Sequence, residues 1–346
     1  MLNIIFVYIV LVFLVLRFSV TLFNFLSNPK LGKYGKHFTD KVSVIIEHTA
    51  DTAALAELLK ALQQQDYQNI EILIGQGDSE NSAALKAFCA SDQRFQLLAK
   101  DVSGADEADG SFLLFLQENT RVQQGLINSL IYRSKVFNLA LLNIIPTLAV
   151  SGLANYSLLP LNNFVLLNLI PIRLVRLFPG PAFVAGSSEC MFFSAAVYKK
   201  YNWRQRGDGQ VRDGADIVRA VKQENLKVET LLGDRLIYHY VPENGKSLFY
   251  KTGRHLLRSF GNNIFAAFVY LLLVVAGPLV MLANSEYNLL VLPIGLIFLS
   301  RVMISFLSRQ NPVWNVLLHP LQMVMLAACL LTAIYTRFIQ LINSKS

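Results

Sequence analysis

Chemistry is expected first at three consecutive polar residues, Gln117, Glu118 and Asn119. They follow Phe112 to Leu116, an apolar run with the length and composition of a buried strand, and polar side chains at the end of such a run are placed to meet a ligand. In α/β sheets, ligands collect beyond the carboxyl ends of strands, so a reaction carried by this chain is expected near Glu118. A second polar cluster is basic: Lys246, Lys251, Arg254, His255 and Arg258 lie within thirteen residues that hold no acid. It suits a membrane-facing flank or a phosphate site, with Arg254 the best candidate for the latter. His319, beside Pro320, reads equally as a functional group and as a helix-start histidine near headgroups. Cys89, Cys190 and Cys329 stand apart, without C-x-x-C spacing or partner histidines. They fit a reducing compartment and exclude a disulfide or zinc framework.

The elements around Glu118 alternate. Val42 to Ile46 is expected as a strand, Thr52 to Gln65 as an amphipathic helix, and Ile70 to Gly75 as a second strand. That strand is closed by Gln76, Gly77, Asp78 and Ser79, where Asp78 is a natural turn former. A helix from Ala83 to Ala90 and a short strand from Phe95 to Leu98 lead into the Glu118 strand. The β-α-β-α-β order predicts a mostly parallel sheet with helices on its faces. Further on, Cys190 to Phe193 reads as a strand, Ala215 to Glu224 as a helix and Val228 to Leu232 as a strand. Between 199 and 222 there are seven Lys or Arg against three Asp. Asp216 suits a helix cap.

Membrane segments enclose this region. The 346 residues are 53% hydrophobic and 16% charged, with mean hydropathy +0.42, too apolar for an ordinary soluble protein. Residues 1–26 form an apolar run long enough to cross a bilayer, which takes about 20 residues. A secretory signal peptide would have a positive amino end and a shorter apolar core, so the run reads as an anchor. Lys30, Lys33, Lys36 and Lys41 follow it and no Lys or Arg other than Arg17 precedes them, which puts the domain after it in the cytoplasm. Ile264 to Ala283, Leu289 to Leu307 and Val316 to Ile339 are each long enough to span. Arg301 sits inside the second of them, where a charge is costly and faces protein or snorkels. Residues 136–185 are apolar but cut by Pro146, Pro160, Pro171, Pro179 and Pro181 into short pieces. They are expected as helices lying in the interface or walling an apolar cleft, a buried core being the alternative. The net charge of +8 is spread over helix flanks and the basic region. It therefore points to anionic headgroups or phosphates, and no nucleic-acid motif opposes this.

Several phrases carry a family resemblance: K-V-S-V-I-I at 41–46, Q-Q-D-Y-Q-N-I-E-I-L-I at 64–74, F-L-L-F-L at 112–116 with T-R-V at 120–122, A-G-S-S at 185–188 and H-P-L at 319–321. With one amino-terminal anchor and three closing spans, the chain resembles the membrane-bound family 2 of inverting glycosyltransferases. The nearest branch is the bacterial one that glycosylates carotenoids and hopanoids, with ceramide the acceptor in relatives. The resemblance implies a Rossmann-like GT-A α/β domain over 40–260, between an anchor at 1–27 and a three-helix membrane domain at 263–342. It also implies an integral protein of a bacterial inner membrane, with a nucleotide-diphospho-sugar donor, a lipid-like hydroxyl acceptor, membrane lipids as partners and Mg²⁺ or Mn²⁺ as cofactor.

Such enzymes need carboxylates, and here the positions that should carry them have changed. Where the family has D-x-D, which holds the metal on the sugar diphosphate, this chain has Gln117-Glu118-Asn119. Glu118 becomes either the remaining metal or sugar contact or a solvated strand-end acid. The D-D-x-S turn that grips the nucleotide corresponds to Gln76-Gly77-Asp78-Ser79. The E-D pair that supplies the general base falls on Asp213-Gly214, so a base would be Asp213, displaced by one residue. Asp51 stands where relatives carry an acid after the first strand, and Arg254 where they carry Q-x-x-R-W. Two readings follow: a transferase with unusual ligands, or a non-catalytic paralogue acting as membrane scaffold or partner subunit. A four-span transporter would leave the large α/β domain without a purpose.

Overall fold

The computed structural model describes residues 2–47, 52–75, 82–99, 102–204, 213–241, 245–284 and 287–343. The chain divides into two units. One comprises Pro29–Ala149 with Ile172–Tyr240; the other comprises Met1–Asn28, Val150–Pro171 and Val241–Ser346. The expected domain span of 40–260 thus runs across both.

The first unit is α/β. Its strands are β1 (Val42–Glu47), β2 (Ile70–Ile74), β3 (Phe95–Leu97), β4 (Phe112–Gln117), β5 (Thr120–Val122), β6 (Leu141–Ile145), β7 (Thr147–Ala149), β8 (Cys190–Ser194), β9 (Val228–Leu232) and β10 (Ile237–Tyr240). Seven strands form a sheet in the order β3-β2-β1-β4-β8-β6-β9. Only β8 runs antiparallel to its neighbours. β1 and β4 are buried almost throughout, which is why they read as continuous apolar runs rather than as alternating ones. The helix Thr52–Gln63 lays Leu55, Leu58, Leu59 and Leu62 into the core beside Val44, Ile46 and Leu114. At the sheet edge, buried Glu229 of β9 takes Arg133 (Nε to Oε2 2.6 Å), Arg176 (3.0 Å) and Arg173 (3.4 Å). Arg133 and Arg176 also lie over the Phe137 ring, at 4.2 and 3.9 Å.

Four of these strands, β5, β6, β7 and β10, differ from the sequence expectation. From sequence the apolar run after residue 136 reads as helices in the interface or walling an apolar cleft, with a buried core the alternative; its Leu141–Ile145 is strand β6, inside the sheet between β8 and β9. A strand buried on both faces and a short buried helix have the same apolar pattern, and Pro146 ends either. Residues Val150–Pro171 do form helices, Leu153–Leu158 and Pro160–Leu169, with Pro160 in the first turn of the second. A three-stranded sheet, β5-β10-β7, is the other addition. Its strands are three or four residues long, too short to show a period.

The second unit is helical, and among the described residues four of its helices are long and apolar enough to cross a membrane: Ile5–Ser27, Ile264–Ala283, Leu290–Leu307 and His319–Asn343. The last begins at His319, not Val316. Pro312–Leu317 is a separate short helix capped by Asn311, whose side chain accepts from the Val313 and Trp314 amides. Inside this unit apolar helices are tied by amides: Asn24 Nδ2 donates to the Leu167 and Ile170 carbonyls, both at 2.9 Å. Gln322 Nε2 donates to the Tyr156 carbonyl at 2.7 Å. Small residues set the closest approaches, as expected where apolar helices pack. A Cβ on Gly253 would lie 2.5 Å from the Cys329 carbonyl oxygen, and one on Gly277 2.7 Å from Val10.

Candidate functional site at the carboxyl edge of the sheet

β4 ends at Gln117, and Glu118 and Asn119 make the turn that reverses the chain into β5. Two hydrogen bonds hold this turn. Thr120 Oγ1 donates to the Gln117 carbonyl at 2.7 Å, and the Tyr240 amide donates to the Asn119 carbonyl at 2.9 Å. The turn therefore joins the large sheet to the small one, and Glu118 is only 7% exposed within it. An acid buried to that degree is not the solvated strand-end group that the sequence also allowed.

The register of β1 against β4 places Glu47 directly beside Gln117. Because alternate residues share a face, Glu47 and Gln117 emerge above Ile45 and Phe115. Arg204 closes this face from a distant part of the chain. Its guanidinium bonds Glu47 at 3.2 Å through Nε and 2.5 Å through Nη2, lies 4.6 Å from the centre of the Phe115 ring and approaches Met191 Sδ at 3.4 Å. The Arg204 side chain is 3% exposed and that of Glu47 41%. The pair thus points from the core to the strand ends, with the cation inside. Neither residue was singled out from sequence. Glu47 was legible, since it is to β1 what Gln117 is to β4. Arg204 was one of seven basic residues with nothing to distinguish it.

The loop before β8 lines the other side. Gln117 Nε2 donates to Ser188 Oγ at 3.2 Å. Asn143 of β6 grips the Ser187 backbone at both ends, accepting from its N–H at 2.9 Å and donating to its carbonyl at 2.7 Å. The helix Gly214–Gln223 packs its first residue on the same loop, where a Cβ on Gly214 would stand 2.3 Å from the Ser187 carbonyl carbon. The glycine in the Asp213-Gly214 pair is therefore required by backbone contact. Asp213 caps this helix, its Oδ1 accepting from the Gly214 amide at 2.8 Å. Asp216, expected as the cap, instead pairs with Arg219 at 2.8 Å. Cys190, at the start of β8, is fully buried, and burial, with the Glu189 charge nearby, raises its thiol above the usual range.

The structure thus brings Gln117, Glu118 and Asn119 to one turn and ties Asp213 to the same end of the sheet through Ser187. Asp51, Gln76, Asp78 and Ser79 lie outside the described residues. Arg254 belongs to the helical unit, on the exposed side of the helix Gly245–Ser259. A divalent cation prefers several oxygen ligands, with charge among them. Among the described residues no three acidic, histidine or cysteine side chains converge to hold one. The donors at the turn are one carboxylate and two amides, and Glu47 is already matched by Arg204. This set does not fit such a metal, and no step is routed through one.

No family model and no curated protein sequence matches this chain. Among solved structures, it is similar over 94% of its length to the mannosyltransferase PcManGT from Pyrobaculum calidifontis, solved in complex with GDP-Man and Mn²⁺. That match covers 99% of the mannosyltransferase, with 12% identity and a TM-score of 0.51. S. aureus TarS 1–349 in complex with UDP matches more loosely, at 13% identity over 87% of this chain and 92% of its own, with a TM-score of 0.41. At this identity the first likeness establishes the fold alone, the α/β fold of that mannosyltransferase, accompanied in this chain by apolar helices, and the second adds no weight.

Proposed function

We propose that this chain is a membrane-bound glycosyltransferase of the inverting family 2 kind. It takes a nucleotide-diphospho-sugar at the carboxyl edge of the sheet and passes the sugar to the hydroxyl of a lipid-like acceptor. The observation that carries this reading is Glu118, a carboxylate kept buried in the turn at the end of β4, in a fold shared with a mannosyltransferase. In an inverting transfer the acceptor oxygen attacks the anomeric carbon as the bond to the diphosphate breaks. The hydroxyl proton passes to a base, and the nucleoside diphosphate leaves with the negative charge. Asp213 is the acid taken as base, on condition that its carboxylate leaves the cap. Glu118 and the amides of Gln117 and Asn119 orient the donor. With so little charge to organise the diphosphate, turnover is expected to be slow. The four apolar helices support an acceptor drawn from the bilayer, and the lysines after the first helix support a cytoplasmic site in a bacterial inner membrane.

A specific observation favours a second reading. The Glu47–Arg204 pair and the close Gly214–Ser187 approach occupy the strand ends with internal contacts, as expected of a paralogue that keeps the fold as a membrane scaffold or partner subunit. Calorimetric titration of the purified full-length protein with UDP- and GDP-sugars, with and without Mn²⁺, separates the two. The transferase reading expects donor binding that is lost in Glu118→Ala and release of nucleoside diphosphate when a lipid acceptor is supplied. No binding of any donor sinks it.

A further inference from the structure

The helical unit holds a partly open cavity of about 500 Å³. Most of its wall is apolar, from residues such as Val10, Leu14, Val274, Met281, Ile294 and Met323. One part is not: Arg17, Asn168, Ser300 and His319 also line it. Arg17 Nε donates to Asn168 Oδ1 at 3.1 Å, and Arg301 Nε donates to His319 Nδ1 at 2.8 Å. Both guanidiniums rest on the Phe164 ring, at 5.1 and 3.7 Å from its centre. Arg17 is 9% exposed, Arg301 1% and Asn168 1%. Asn168 Nδ2 and Arg301 Nη2 are buried without a hydrogen-bond partner.

Among the described residues no carboxylate acts on either guanidinium. The unit's sequence contains only two acids, Glu243 and Glu286, both outside the described residues. Burying an ion costs more, even after relaxation, than a cation on an aromatic face recovers. The neutral acceptors Asn168 and His319 do not close that gap. A bound anion would, because a guanidinium meets phosphate oxygens with two parallel charge-assisted bonds. The remainder of the cavity offers such an anion nothing but hydrocarbon.

We propose that this cavity binds an anionic lipid. Its phosphate head is held by Arg17 and the unpartnered Asn168 amide, within the field of Arg301, and one apolar chain lies along the aliphatic wall. The site stands whether or not the α/β unit transfers sugar, since it uses only residues of the helical unit.

The test uses the full-length protein in detergent and native mass spectrometry with three probes. These are oleoyl lysophosphatidic acid, monoolein with the same chain and a neutral head, and inorganic phosphate. The lysophosphatidic acid is expected to be retained about tenfold more tightly than monoolein, the worth of one charge-assisted pair. Arg17→Met, which keeps the apolar bulk, should abolish that preference. Val274→Phe, which leaves both arginines in place but fills the cavity, should release both lipids. Equal retention of the two lipids by the unaltered protein overturns the proposal, and that comparison needs no variant to fold. A preference that persists in both variants marks surface adhesion and also overturns it. Displacement by inorganic phosphate as effectively as by the lipid would assign the arginines to a soluble anion instead.

Discussion

Gly214 shows how a single residue at the sheet edge shapes the candidate chemistry. A carboxylate at this position would need a Cβ where the Ser187 backbone already lies, so the acid can stand only one place earlier, on Asp213. Gly214→Ala is therefore expected to force the Ser187–Ser188 loop away, at a cost of about 1–3 kcal/mol for an overpacked contact. The thermal midpoint of the full-length protein should fall, and any donor affinity should fall with it because Ser188 holds Gln117. An unchanged midpoint would mean that the loop yields without cost. Glu118 poses the complementary case. Its type and strand-end position were plain from sequence, whereas its burial comes from the turn that joins two sheets.

Among elements, two of the ion-pair sites along the sheet of the α/β unit make distinct predictions. At the β9 edge, Glu229 holds three arginines and so fastens the helix Leu126–Phe137 and the short helix Leu174–Leu177. Glu229→Gln leaves those cations facing a neutral amide and is expected to destabilise the protein by about 3 kcal/mol, at the lower end for a broken buried pair. A shift of the urea midpoint, at constant slope, measures it. On β2, burial alone would raise the Glu71 carboxyl, but the Lys41 ammonium, the Ser43 hydroxyl and the Asp109 amide together hold it below its ordinary value. A carboxyl lowered in the folded state contributes stability above its unfolded value of 4.5, and that contribution is lost as pH falls through the lower folded value. Glu71→Gln should flatten this acid limb in a thermal scan from pH 7 to pH 3, leaving the pH dependence from pH 6 to pH 7 unchanged.

For the whole molecule, four spans and the lysines after the first predict both ends of the chain on the outer face and residues 29–241 inside. A fluorescent protein fused after Ser346 should then be dark and an alkaline phosphatase active; the reverse result would invert the topology and remove the donor site from the cytoplasm.

The alternation of strands and helices, the four long apolar helices and the Gln117-Glu118-Asn119 strand end were all legible in the sequence, because burial and helix length impose a local period or a minimum run. Leu141–Ile145 was not, since a strand covered on both faces has the same composition as a buried helix piece. Nor was Arg204 on Glu47, 157 residues apart, or the sharing of Phe164 by Arg17 and Arg301. These pairings arise from the closing of the tertiary structure. A charge becomes informative only when its neighbours are known, and no local pattern states which distant residue will neutralise it.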